Sequence, residues 1–279
     1  MHSAASGDRF AAFRHVSYLR FFFARFLGAF ATQILSVSVG WQMYDETGSA
    51  LYLGLIGLVQ FLPSLMLILV TGSVADRYNR RAIVAICMIV SALCGGAMLL
   101  LTVFDAFDPI IVFAILVVFG VERAFNAPAV QSLAPNLVPP QDLGNAVAWN
   151  SSSWQTASIV GPVAGGLLYG VSATLAYSVS FAFFVAAAVL VFMVAKPQQR
   201  SASKAVSWNT ILAGFRFIFG EKVVLGAISL DLFAVLLGGA VALMPIFARD
   251  VLTLGPLGLG LLRAAPGIGA IIVAVALAS

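Results

Sequence analysis

The residues best placed to do chemistry are ionisable side chains set inside long apolar runs. Glu122-Arg123 lie within the apolar stretch 109–131, Asp231 sits between Leu230 and Leu232, and Arg263 interrupts the last apolar run. A charged side chain at the centre of a membrane helix costs about 2.5–3.5 kcal/mol on insertion scales, so each should face water, a partner or a ligand. Glu122 and Asp231 are candidate proton carriers, Arg123 belongs with them, and Arg263 is a candidate partner for Asp231. Adjacent residues point about 100° apart on a helix, so Glu122 and Arg123 cannot both face one cavity squarely, and an internal ion pair is the competing reading. Polar residues in neighbouring runs fall on single helical faces: Gln33 with Ser36, and Asn145, Trp149, Ser152 and Thr156, with Asn126 following the Glu-Arg pair. Such rows line pathways for organic solutes, or simply bond helices together.

Other chemistries find no footing. Cys87 and Cys94 are seven apart, about 10 Å along a helix and too far for a disulfide. His2 and His15 have no second ligand near in sequence, so no metal site is expected. No Gly-x-x-x-x-Gly-Lys-Ser/Thr loop occurs, which argues against ATP use by this chain. No catalytic residue and no cofactor is expected, and nothing points to nucleic acid.

These residues must be positioned by membrane helices. Hydrophobic residues make up 61% of the 279, charged residues 9%, and the mean hydropathy is +1.04; soluble domains carry about 25% charged residues. Apolar surface on this scale is covered by lipid, which demands helices or a closed barrel. The runs are too long and unalternating for a barrel. Charge-free windows of about 20 residues predict spans near 18–44, 51–75, 82–104 and 109–131, two more within 143–195 turning near 169–174, then 223–248 and 257 to the end. The first span reads as a retained anchor rather than a cleaved signal.

All but three of the 15 basic residues then fall on one side, including Arg9, Arg14, Arg20, Arg25, Arg77, Arg80, Arg81 and Lys222. The other side holds Asp45, Glu46, Asp105, Asp108 and Asp250, with Arg249 alone. The positive-inside rule predicts a cytoplasmic N-terminus in an inner (plasma) membrane. Residues 196–222 read as a cytoplasmic linker between 1–195 and 223–279, with Trp208, Leu212, Phe215 and Phe219 at amphipathic spacing. The chain matches itself at an offset of 203: Phe30-Ala31 with Phe233-Ala234, Gly57-Leu58 with Gly260-Leu261, and Pro63 with Pro266. A parallel repeat of six helices predicts two similar halves with substrate between them. The first half is complete on this reading, the second holds two helices, and the chain is expected to be a truncated transporter that cannot transport alone.

Two motifs carry a family resemblance. Gly72-Ser-Val-Ala-Asp76-Arg77-Tyr78-Asn79-Arg80-Arg81 resembles the cytoplasmic loop signature of the major facilitator superfamily, with Asn79 at its second Gly. The resemblance implies a conformational switch in which Asp76 pairs and releases, Gly72 admits a close helix, and Asn79 tolerates a left-handed backbone. Gly161-Pro162-Val163-Ala164-Gly165-Gly166 resembles the signature of the family's proton antiporters, with Ala148 and Ala157 at two earlier glycine positions. Arg123 resembles the buried Arg of the family's fourth span, with Asn126 and Ala127 where Gln and Gly are usual. The stretches 133–139, 145–166 and 243–250 look like the macrolide-efflux and enterobactin-exporter branch. The resemblance implies an all-α polytopic fold and a secondary exporter of a drug-like compound or siderophore, proton-coupled, working by alternating access and monomeric when full length. Uptake by symport and a non-transporting scaffold are the alternatives.

Overall fold

A computed structural model describes residues 9–195, 220–221, 223–226, 229–230 and 240–278. After a 3-10 turn at Ala11–Arg14 come α1 (Val16–Thr47), α2 (Ala50–Arg77), α3 (Arg80–Val103), α4 (Pro109–Leu133), α5 (Leu143–Val171) and α6 (Ala173–Phe192). Next are α7 (Ala240–Ile246), which runs into a π turn at Phe247–Val251, and α8 (Pro256–Ala278). No strand occurs among the described residues. Linker residues 196–219 and Lys222, and Asp231 with most of its expected span, lie outside the described residues.

The boundaries follow from local chemistry. Gly48, at φ +60°, ends α1 in the left-handed conformation that suits glycine. Asp108 accepts from the backbone N–H groups of Ile110 and Ile111, with Pro109 at the first helical position. The chain turns between α5 and α6 at the extended Ser172, inside the expected window. Among the described residues six helices are long and apolar enough to cross a membrane: α1 to α4, α6 and α8. Helix α5 has the length, 29 residues, but its first half carries Asn145, Asn150 and Gln155.

Neighbours run in the order α2, α4, α3, α6, α1, α5, α8, with α1 also touching α2 and α7. Tyr18, Phe21, Val84, Leu133 and Val191 fill one core near the basic ends of the helices. Leu35, Met43, Met98, Leu116, Tyr177 and Phe184 fill another toward the acidic ends. Polar groups in these layers are paired across helices: the Tyr177 hydroxyl donates to Gln42 Oε1 (2.6 Å), and Ser180 Oγ to the Ala31 carbonyl (3.0 Å). Large apolar side chains such as Met66, Leu93 and Ile110 remain on the outside, the arrangement of helices solvated by lipid.

Without a hydrophobic drive between helices in lipid, close approach of small residues does much of the binding. Helix α5 shows this on two sides. A Cβ at Gly161 would lie 2.7 Å from Gln33 Cβ, and one at Gly165 would lie 3.0 Å from Ile34 Cα, both on α1. On the other side a Cβ at Gly166 would meet the Pro256 carbonyl at 2.3 Å, and one at Gly260 of α8 would meet the Pro162 carbonyl at 2.4 Å. Gly120 of α4 likewise admits the backbone of Gln60 on α2.

The two ends differ in chemistry. At the basic end, guanidiniums donate to carbonyls near helix C-termini: Arg20 to Met193, Arg80 to Ala75 and Ser132, and Arg81 to Phe192. This places positive charge where the helix dipole is negative. At the acidic end, Arg249 pairs with Asp45 (2.9 Å) and the Tyr44 hydroxyl donates to Asp250. Arg249, the one basic residue expected on that side, thereby joins the end of α1 to the turn after α7.

Candidate functional site

One face of α1 is polar or small through its middle: Arg25, Gly28, Thr32, Ser36 and Gly40 recur at spacings of three and four, over about 22 Å of helix. Three cavities follow this face. The first, about 340 Å³, is lined by Arg25, Thr32, Ser91, Glu122, Arg123 and Asn126 among others. The second, about 140 Å³, shares Thr32, Arg123 and Trp154 with the first. The third, about 480 Å³, shares Gln33, Ser36 and Gln60 with the second and adds Arg263 and Pro266 of α8. Shared walls make these one row, from between α1, α3 and α4 to the contact of α1 with α8.

Glu122 is the most enclosed ionisable group in the row, only 5% exposed. Ser91 and Asn126 lie beside its carboxylate, yet among the described residues its Oε1 has no hydrogen-bond partner, and neither has Asn126 Oδ1. A buried polar atom left unpaired costs about 1–3 kcal/mol. Arg123 points elsewhere on the helix, is exposed, and lines both the first and second cavities. The two side chains thus share a cavity wall without forming a salt bridge. In the third cavity Arg263 Nη1 donates to Ser36 Oγ at 2.9 Å, while its Nε is buried without a partner among the described residues.

Gln33, Ser36, Asn126, Glu122, Arg123 and Arg263 therefore meet along one row. Asn145 and Trp149 do not line it. The Asn145 amide accepts from Ala12 N–H (3.1 Å) and donates to the Arg9 carbonyl (2.9 Å), and Trp149 Nε1 donates to the same carbonyl (2.8 Å). Trp149 also stacks on Phe10 and meets Phe13 edge-on, so these α5 residues hold the N-terminal turn. A His15–Asp142 contact of 2.9 Å fastens it further. Ser152 and Thr156 are exposed, with Thr156 Oγ1 donating to the Ser152 carbonyl.

The loop after α2 departs from its expected geometry in one respect. Asn79 has φ −64°, not a left-handed backbone, and its side chain caps α3 by accepting from Arg81 and Ala82 N–H. No described atom lies within 4 Å of where a Gly72 Cβ would sit, so the close helix expected there is not among the described residues. The Asp76 side chain lies outside what is described. Arg77 is exposed, whereas Arg80 and Arg81 are engaged with helix ends.

Sequence reasoning missed Arg25, Ser91, Gln60 and Trp154. Arg25 was counted only as a flanking charge, but it is the tenth residue of α1, about 14 Å into the helix. That depth was a readable signal. Ser91 and Gln60 had none, since single hydroxyls and amides are common in membrane helices.

Comparison with known proteins agrees with this architecture. Macrolide efflux protein A of Streptococcus pyogenes is 27% identical over 138 residues, 50% of this chain and 34% of its own length. An uncharacterized MFS-type transporter of Bacillus subtilis, YkuC, is 25% identical over 248 residues, 84% of this chain and 57% of its own. The staphyloferrin A transporter of Staphylococcus aureus is 26% identical over 152 residues, 54% of this chain and 38% of its own. The chain thus spans between about a third and somewhat over half of the length of these relatives. The family model of the Major Facilitator Superfamily matches residues 21–279, from within the first two turns of α1 to beyond the end of α8. A polytopic bundle of this order, with a polar row between its helices and efflux proteins among its relatives, belongs to the major facilitator superfamily of transporters.

Proposed function

We propose that this chain forms the first half, and part of the second, of a secondary exporter that moves a small organic solute across the inner membrane in exchange for protons. The carrying observation is Glu122: a carboxylate 5% exposed, with a free oxygen, on the wall of a polar cavity in a membrane helix. A group so expensive to keep there suits loading and unloading of a proton. Asp231, outside the described residues, is the second candidate carrier. Relatives named for macrolide efflux and for staphyloferrin A transport support a drug-like or siderophore solute moving outward.

Alternating access would open the row first to the basic end, then to the acidic end. Residues 1–195 would form one rocking body and 223–279 the start of the other, joined by 196–222. The loop bearing Gly72, Asp76, Arg77, Arg80 and Arg81 would act as the switch, and Gly161, Pro162, Gly165 and Gly166 as the sliding contact of α5 with its neighbours. The charge asymmetry of the ends supports a cytoplasmic N-terminus.

The test is dye efflux from liposomes holding the purified full-length form of the transporter under an imposed pH gradient. Glu122→Gln should abolish gradient-driven efflux and leave downhill exchange. Asp231→Asn should do so instead if that residue carries the proton. Full gradient-driven efflux in both variants would remove proton antiport from the mechanism.

A further inference from the structure

Along the cavity row, the described residues place three guanidiniums (Arg25, Arg123 and Arg263) against one carboxylate, Glu122. Arg25 is half-buried and Arg123 exposed to the cavities. Neither makes a hydrogen bond or salt bridge with any described residue. Positive charge held among membrane helices without a partner raises the local concentration of anions and favours those that enter. Beside the guanidiniums, Glu122 Oε1 and Asn126 Oδ1 are buried acceptors with no donor among the described residues. Ala24, Met88, Val130 and Trp154 supply apolar and aromatic wall, and Thr32, Ser91 and Gln131 add further polar groups. A cavity of about 340 Å³ lies within the range of small-molecule sites.

We infer that the solute taken by this cavity is an organic acid that also carries a hydrogen-bond donor, its carboxylate drawn to Arg25 and Arg123 and its hydroxyl or N–H to the free oxygen of Glu122. The inference rests on the cavity row being the solute's path, as proposed above. It also gives the exchange a physical basis, because protonating Glu122 removes its negative charge and leaves its carboxyl a weaker acceptor for the solute's donor. Among the described residues, the charged and titratable groups around Glu122 are Arg25 from α1, Cys87 and Cys94 from α3, and Arg123 on its own helix, with the Ser91 hydroxyl beside them. None of these is a second carboxylate that could take over the role.

Equilibrium binding to the purified protein in nanodiscs tests this, with 6-hydroxy-2-naphthoate as the probe and its own fluorescence as the signal. Two analogues vary one feature each: 2-naphthoate lacks the donor, and 6-hydroxy-2-naphthylmethylamine reverses the charge. The hydroxy acid should bind about tenfold more tightly than either, one hydrogen bond or charge contact being worth about 1.4 kcal/mol per decade. Arg25→Gln and Arg123→Gln should each weaken it about tenfold, and Arg25→Lys should retain most of the affinity, which separates lost charge from misfolding. Glu122→Ala should erase the preference for the hydroxy acid over 2-naphthoate. The inference is overturned if the cation binds as tightly, if both Gln variants bind normally, or if binding does not exceed that of lipid-only discs. Binding with this pattern but no proton-driven flux by the full-length form would instead sink the transport reading and leave the ligand class standing.

Discussion

Asn79 shows how one side chain can replace a family glycine by another route. Its carboxamide satisfies two N–H groups at the start of α3, a role that an alanine cannot fill and a glycine fills almost as well. Asn79→Ala should therefore lower stability by about 1 kcal/mol, and Asn79→Gly by a few tenths, measured by thermal unfolding in detergent. Equal loss in both would mean that capping is not what the residue does. Asp76→Asn should slow conformational cycling with little change in solute affinity; a large loss of affinity would count against a switch. At this scale the sequence was readable where depth in a span is itself the signal, as for Glu122 and Arg263. It was unreadable where a partner lies more than 100 residues away: Trp149 and Asn145 pair with Arg9, and nothing in residues 145–149 announces that.

Helix α5 is the element on which the packing turns, because its glycines face α1 on one side and α8 on the other. Adding even one methyl group at Gly161 forces it within 2.7 Å of Gln33 Cβ, and overpacking of this kind costs about 1–3 kcal/mol. Gly161→Ala and Gly166→Ala should each depress the melting temperature, while Gly144→Ala and Gly170→Ala, with nothing within 4 Å, should leave it unchanged or raise it. Indifference of all four would show that α5 packs loosely. Most of the elements were legible because hydropathy and charge-free windows report burial in lipid directly. Two features were not. The N-terminal 3-10 turn is too short for periodicity to reveal, and the contacts of Asn145 and Trp149 with that turn are made across more than 100 residues.

The whole molecule is joined at its acidic end by contacts that are individually weak. Asp45 and Arg249 are 47% and 41% exposed, and pairs of that kind contribute about 0.2–1 kcal/mol, so one pair shifts a two-state equilibrium by only about 1.4- to 5-fold. The hydroxyl of Tyr44 on Asp250 adds a second contact of the same modest order. A lock of this strength holds α1 against the turn after α7 and still yields to the free energy of one bound solute or proton, as alternation requires. Arg249→Ala and Tyr44→Phe should each favour opening of that end, and together more than either alone. The readout is alkylation, from the acidic-end side, of a cysteine introduced at Ser36, a residue that lines the second and third cavities. Its rate should rise severalfold in the double variant, and the charge-reversed pair Asp45→Arg with Arg249→Asp should bring it back toward the parent. An unchanged rate in the double variant would mean that the acidic end is held by the apolar contact of Val37 and Trp41 with Ala248 and Leu259, and that its charges only decorate a closure made elsewhere.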